Sequence, residues 1–460
     1  MQTISSRLIN RNYARLWYGH AVSTVGDYVF DTTLVLWVAT VLAKNRSWAP
    51  AAVSGVLLAV GAAVLVVGPL AGVFVDRWNR RRTMLRTEVI RAVLVGILAV
   101  LSFLPTSALP VYLWLGLVYA VVFGVNATGQ FFGPARFAVL GQIVTGEADR
   151  TRAAGISQAT TATAAIVGPP LAAPLLFTVG VQWALLINAV SYVFSYVAIR
   201  SVRIEEPEQS PADPAAAPSA APSASSSLFK EFGEGLRFFV GNRFLVALLA
   251  IAVIAQCGTG AINSLDVFFV TENLHTAPHL YGFMSMAFGI GAIAGSLWAG
   301  RVVRRFGART TTWAALLITG LLVVGYARQT DFWSGLAFLA AFSIPVAMLN
   351  TAMTPLLLEA TPQEYLGRMV AVFNPVNQLA SMLSVVVAGW LASTVLRNFH
   401  GRFAGMRFGR IDTLFAVAGL FIVLAAGFAY LVLPRQEQQQ DSPLPEPELV
   451  AQGPAQGAAE

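Results

Sequence analysis

Charge is scarce in this chain: of 460 residues only 12% are charged, while 56% are hydrophobic. A water-soluble domain carries about 25% charged residues, so this balance excludes a soluble globular protein. Cysteine occurs once, at Cys257 inside an apolar run, which excludes an intrachain disulfide and a thiolate metal cluster. The four histidines, His20, His275, His279 and His400, are scattered, and neither metal spacing nor a Ser/His/Asp grouping appears. A phosphate-cradling glycine loop is also lacking, so neither an enzyme nor an ATP-driven machine is expected, and no cofactor. The net charge of +7 could suggest nucleic-acid binding, but the arginines sit in short loops between apolar runs rather than on one face.

What is abundant is apolar sequence of spanning length. A membrane helix needs roughly 20 apolar residues. Twelve stretches qualify, near 15–42, 50–75, 83–104, 109–134, 152–178, 181–200, 244–272, 280–303, 310–328, 332–359, 365–396 and 409–433. The start, Met1–Arg15, is polar and basic, and no cleavable leader is expected. Trp17, Trp37, Trp48, Tyr112, Trp114 and Trp333 fall near span ends, where amphipathic rings favour the headgroup layer. With both termini cytoplasmic, 23 lysines and arginines fall inside and 7 outside, which orients the chain. The loop 397–412, with four arginines, runs against that rule.

Four regions follow: an amino-terminal six-helix bundle over 1–200, a cytoplasmic linker over 201–243, a second six-helix bundle over 244–433 and a tail over 434–460. The linker is rich in Pro, Ala and Ser and the tail in Gln and acidic residues, so both are expected to be largely disordered. Residues 229–242 can form a short amphipathic surface helix.

The densest charge lies at Gly72-Val-Phe-Val-Asp76-Arg77-Trp-Asn-Arg80-Arg81-Arg82, between spans two and three. Gly72 is expected to let the helix end pack closely, and the arginines to hold the turn at the cytoplasmic face. A weaker echo, Gly300-Arg-Val-Val-Arg304-Arg305-Phe-Gly307-Ala-Arg309, lies half a chain later and implies duplication. Twelve spans, a central linker and this loop resemble the major facilitator superfamily. Arg11-Asn-Tyr-Ala-Arg-Leu-Trp17, Gly26-Asp27, Phe131-Phe-Gly-Pro134-Ala-Arg136, Gly168-Pro169-Pro170 and Gly367-Arg368 resemble its bacterial exporters of macrolides, siderophores and other drug-like molecules. The resemblance implies an all-α membrane protein of the bacterial cytoplasmic (inner) membrane. Its two pseudo-symmetric six-helix bundles would rock about a central cavity. Two departures stand out. Arg304 replaces the loop aspartate in the second half, and Tyr119 stands where such exporters often carry a span-four arginine, five residues before Gly124.

Three constellations could carry the chemistry. Asp27 lies about 20 Å along span one from the inner end, near the midplane, with Asp31 one turn beyond and His20 on the same face. A carboxylate there costs about 2.5–3.5 kcal/mol or more and needs a cavity or a partner. Two carboxylates a turn apart repel when both are ionised, which suits them to trading protons or recognising a cation. A structural role, capping a kink or bonding a neighbouring helix, is the alternative. The second set, Gly72, Asp76, Arg77, Arg81, Glu88, Arg91 and Arg136, is expected to form an inner gate, with Asp76 set against the start of span eleven near Glu364. The third, Asn126, Gln130, Phe131, Gln158, Gln256, Asn263, Asn350, Asn374, Asn377 and Gln378, is expected to line a substrate cavity. Gly168 and Pro169 suit a hinge in span five, while Asp266 and Glu272 are expected only to gate or cap.

The leading expectation is a monomeric secondary exporter of drug-like or amphipathic small molecules, coupled to protons moving the other way. The alternatives are a lipid or lysolipid transporter of the same fold, and a membrane receptor or scaffold that transports nothing.

Overall fold

In the computed structural model the described residues are 8–202, 237, 239–399, 401–403 and 406–433, without the side chains of Val73, Asp76, Glu364 and residues 402, 403, 406 and 407. The tail, nearly all of the linker and the proposed surface helix at 229–242 thus fall wholly or largely outside the described residues. Twelve long helices make up the rest. They are α1 (Arg11–Trp37), α2 (Ala49–Arg77), α3 (Arg80–Leu101), α4 (Val111–Ile143), α5 (Glu147–Pro174) and α6 (Val181–Arg200). The second set is α7 (Arg243–Glu272), α8 (Tyr281–Phe306), α9 (Ala308–Tyr326), α10 (Phe332–Glu359), α11 (Leu366–Ser393) and α12 (Arg410–Val432). Five-residue π-turns, Val38–Leu42 and Leu175–Val179, extend α1 and α5. A two-strand antiparallel hairpin, β1 (Gly401–Phe403) and β2 (Met406–Phe408), precedes α12.

Eleven of these helices are long and apolar enough to cross a membrane. The exception is α3, whose first half carries Arg80, Arg81, Arg82, Arg86, Glu88 and Arg91. Helix α4 runs nine residues past the expected end at 134, through Pro134 to Ile143.

Each set of six packs into one bundle: α1 on α5 and α6, α3 on α4 and α6, α2 on α4, and in the second set α8 and α9 on α10, α9 and α7 on α12, α7 on α11. The bundles meet through α2 on α11 and α5 on α8. Two of the tryptophans expected at the headgroup layer are buried instead. Trp37 and Trp114 pack edge-to-face at 5.6 Å, and Trp114 donates to the Thr106 carbonyl at 3.1 Å. With the indole N–H satisfied, each ring buries more apolar area inside the bundle than it would at an interface.

The repeated loops perform the same task in both halves. Asn79 caps α3, accepting from the Arg82 amide at 2.9 Å, so a very short turn can follow α2. Arg81 then donates to the Arg200 carbonyl at 2.6 Å, at the carboxyl end of α6. In the second half Gly307, at φ +79°, makes the turn, and Arg309 donates to the Tyr430 carbonyl at 2.9 Å near the end of α12. A guanidinium at a helix carboxyl terminus satisfies orphan carbonyls and the negative end of the dipole.

Candidate functional site

The two bundle seams are tight at one end only. Near the α1–α2 turn, the Ala51 amide donates to Ser393 Oγ at 3.1 Å. Gly389 of α11 leaves no room for a Cβ beside Ser54, and Gly282 of α8 lies against the Pro169 carbonyl of α5. At the other end, which carries the α2–α3 and α8–α9 turns, a Cβ on Gly72 or Gly367 would meet nothing within 4 Å. The expected close packing at Gly72 is therefore not made, because the bundles stand apart there. The Gly168-Pro169 segment, expected as a hinge, lies within a continuous α5 and is a site of close approach: a Cβ on Gly168 would strike Tyr28 of α1.

Between the bundles lies a cavity of about 870 Å³, within the range of sites for drug-sized ligands. Of the amides expected to line it, Gln256, Asn263, Asn350, Asn377 and Gln378 do so. Asn126, Gln130, Phe131, Gln158 and Asn374 do not. Asn126 donates to the Val122 carbonyl at 2.9 Å within its own helix, and Phe131 stacks on Trp78 at 5.8 Å. Gln158 and Asn374 are exposed elsewhere. Helical periodicity identifies a polar face, but the cavity bites mainly into α7, α8, α10 and α11, an asymmetry that no face pattern contains.

The span-one constellation separates into three places. Asp31 faces the cavity. Asp27 turns into the amino-terminal bundle, where its Oδ1 accepts from the Tyr192 hydroxyl of α6. His20 pairs with Thr24 Oγ1 at 3.3 Å and stacks on Phe132 at 6.1 Å.

The gate set separates as well. Glu88 and Arg91 do not reach the loop; they are buried in the bundle interior. Ser195 Oγ donates to Glu88 Oε1 at 2.9 Å. The Arg91 guanidinium lies 5.5 Å from the ring centres of Phe132 and Tyr192 and against Gly129 of α4, where a Cβ would displace it. Its electrostatic neighbours are Asp27, Glu88 and Asp31. The i, i+3 spacing turned both residues inward because α3 packs its Glu88–Arg91 face on α4 and α6. A buried arginine therefore stands beside the span-one aspartate, but it comes from α3. Tyr119, at the span-four position, donates to the Ala52 carbonyl at 2.8 Å and ties α4 to α2. Arg136 bonds Ser157 of α5 at 3.3 Å, and Arg81 bonds α6, so each stays within its own bundle. Arg77 is exposed, and the expected contact of Asp76 with the start of α11 lies outside the described side chains.

In the second bundle Asp266 lines the cavity, and the Tyr326 hydroxyl donates to its Oδ1 at 2.5 Å. Sequence reading gave it only a gating or capping role, since nothing in the sequence pairs it with a tyrosine 60 residues away. Glu272 forms an ion pair with Arg410, and Asp412 with Arg328 at 3.3 Å. Arg328 also lies 4.6 Å over the Phe408 ring. One arginine of the basic loop, Arg410, thus has a carboxylate partner, and Asp412 beside it holds Arg328.

Twelve helices in two bundles stand around a cavity, and the chain belongs to the Major Facilitator Superfamily of transporters, whose sequence model matches residues 16–270 and 248–457. The chain is similar to an uncharacterized MFS-type transporter, YkuC of Bacillus subtilis, at 24% identity over 94% of each chain. It is also similar to macrolide efflux protein A of Streptococcus pyogenes, at 23% identity over 83% of this chain and 89% of that one. The putative bacilysin exporter BacE of Bacillus subtilis is 30% identical over 51% of this chain and 52% of its own. Among solved structures, a bacterial homologue of the iron transporter ferroportin in an inward-facing state superposes with a TM-score of 0.69 at 13% identity. That match covers 92% of this chain and 99% of the other. The nucleoside transporter NupG superposes with a TM-score of 0.67 at 13% identity, covering 93% and 100%. These likenesses fix the fold.

Proposed function

We propose that this protein is a secondary exporter of drug-like or amphipathic small molecules that exchanges them for protons by alternating access, and that it acts as a monomer in the bacterial cytoplasmic membrane. The observation that carries the reading is the buried grouping of Asp27, Glu88 and Arg91 one helical turn from Asp31, which faces the cavity. One arginine offsets one ionised acid of the three at a time, so a proton leaving the set gives a carboxylate whose charge the guanidinium meets in oil. With the α2–α3 turn on the cytoplasmic side, as the basic residues require, the open end faces inward. The seams at Ala51–Ser393 and Gly282–Pro169 then form the closed outer gate. Cargo would enter from the cytoplasm or inner leaflet, the bundles would rock, and a proton arriving from outside would reset the amino-terminal bundle. The exporter names among its relatives support the direction.

The lipid or lysolipid reading has one specific observation in its favour. A second groove between α8 and α10, about 750 Å³, shares Phe288, Val346, Asn350 and Thr354 with the cavity and ends at Arg304. An apolar trough with a cation at one end suits a tailed anion. The deciding measurement is transport in proteoliposomes under an imposed pH gradient, with macrolides and lysolipids as rival cargoes. Gradient-dependent macrolide uptake into inverted vesicles supports the exporter; lysolipid movement that ignores the gradient overturns it.

A further inference from the structure

The carboxylates on the cavity wall differ in what surrounds them. Asp31 shares its field with Asp27 and Arg91, so positive charge is already supplied by the protein. Asp266 is 7% exposed and has Tyr326 as its hydrogen-bonding partner. No arginine, lysine or histidine among the described residues lines the cavity. A buried carboxylate without a counter-ion is costly, and the cost falls when a positive charge is brought to it.

The surroundings suit one kind of positive charge. Tyr326 holds the carboxylate from behind, with Phe342 at 6.2 Å from the Tyr326 ring and Phe288 at 5.8 Å from Phe342. Phe288, Phe342 and Tyr281 all line the cavity, and Tyr281 lies within the electrostatic reach of Asp266. Ring faces attract an ammonium by about 0.5–2 kcal/mol each when water is excluded, whereas a strongly hydrated inorganic cation gains little there. Asp266 also stands six residues before the end of α7, at the sealed end of the cavity, where a bound group is furthest from bulk water.

We infer that Asp266, with Tyr326 behind it and Tyr281, Phe288 and Phe342 lining the same cavity, is a recognition site in the second bundle for an organic cation, the protonated or quaternary nitrogen of an amphipathic cargo. This rests on the cavity being the cargo site. The labour then divides between bundles: the Asp27–Arg91 grouping handles the proton and Asp266 handles the charge of the cargo.

The test is equilibrium binding of tetraphenylphosphonium to the purified full-length protein in detergent, with no gradient, beside neutral triphenylphosphine oxide. The wild type should bind the cation saturably and the neutral compound at least tenfold more weakly. Asp266→Asn should lose at least tenfold in cation affinity and little for the neutral compound. Asp266→Glu, which keeps the charge, should recover part of the loss, and Glu147→Gln, at an exposed carboxylate outside the cavity, should change cation binding less than threefold. A wild type that does not bind the cation, equal binding of the neutral compound, or an Asp266→Asn variant within twofold of wild type overturns the inference. Charge-dependent binding at Asp266 in a protein whose transport ignores a pH gradient supports the inference while removing proton exchange.

Discussion

The Arg81 guanidinium donates to the Arg200 carbonyl at 2.6 Å, and half a chain later Arg309 does the same to Tyr430 at 2.9 Å. Each contact ties the start of the third helix of a bundle to the end of its sixth. The basic loop is thus a clamp inside each half as well as a topological marker. Arg81→Ala should lower the melting temperature, since a charge-assisted hydrogen bond contributes about 1.5–3 kcal/mol. Arg77→Ala, whose side chain is exposed, should change it by less than about 0.5 kcal/mol. Thermal unfolding in detergent compares the two; equal effects would refute the clamp.

If the proposed proton exchange runs through Asp27, Asp27→Asn should abolish transport driven by a pH gradient while leaving the protein folded, because the amide can still accept from Tyr192. Tyr192→Phe removes that donor and should slow gradient-driven transport several-fold, with a stability loss of about 1–3 kcal/mol from the unsatisfied carboxylate. Proteoliposome flux and melting curves separate the two effects. Asp27→Asn flux equal to wild type would remove Asp27 from the mechanism.

Arg91→Met should be the most damaging substitution in the first bundle. It removes the guanidinium whose field Asp27 and Glu88 share, leaving both buried without a cation nearby. Arg91→Lys should rescue little, since an ammonium cannot lie flat between the rings of Phe132 and Tyr192. Adding Glu88→Gln to Arg91→Met should restore part of the loss. A double variant no more stable than Arg91→Met would show that Glu88 and Arg91 do not balance each other.

Access can be read by cross-linking. In a Cys257→Ala background, Ala51→Cys with Ser393→Cys should oxidise readily, because these positions are already bridged by a hydrogen bond of 3.1 Å. The cross-linked protein should bind cargo but not turn over. Cysteines at Gly72 and Gly367 should cross-link poorly at rest, as neither position has a neighbour within 4 Å. Mobility shift on gels reports both. Faster cross-linking of the second pair would mean that the resting state is closed at the end carrying the α2–α3 turn.

By contrast, Glu272→Gln, which breaks the partly exposed pair with Arg410, should cost only about 0.2–1 kcal/mol in a melting curve. A larger loss would make that pair part of the outer gate.

Much of the fold was legible because it depends on solvent, which acts on every segment alike. Residues that cannot meet water form long apolar helices, charged residues gather at the turns between them, and Asn79 caps α3 so that a very short turn suffices. Apolar runs therefore gave the twelve helices to within a few residues at most ends, and the motif from Gly72 to Arg82 gave the family. That Asp27 needs a partner also followed from its place deep within α1.

What the sequence could not supply was the partner. Asp27 bonds a tyrosine 165 residues away, Glu88 a serine 107 away and Asp266 a tyrosine 60 away. A residue's helical phase says which way it points, but only the packing of helices says what stands there. Hence Glu88 and Arg91, grouped with the loop by proximity in the chain, join Asp27 in the interior. Hence also the cavity takes its amides from one bundle, which only the docking of the two halves could reveal.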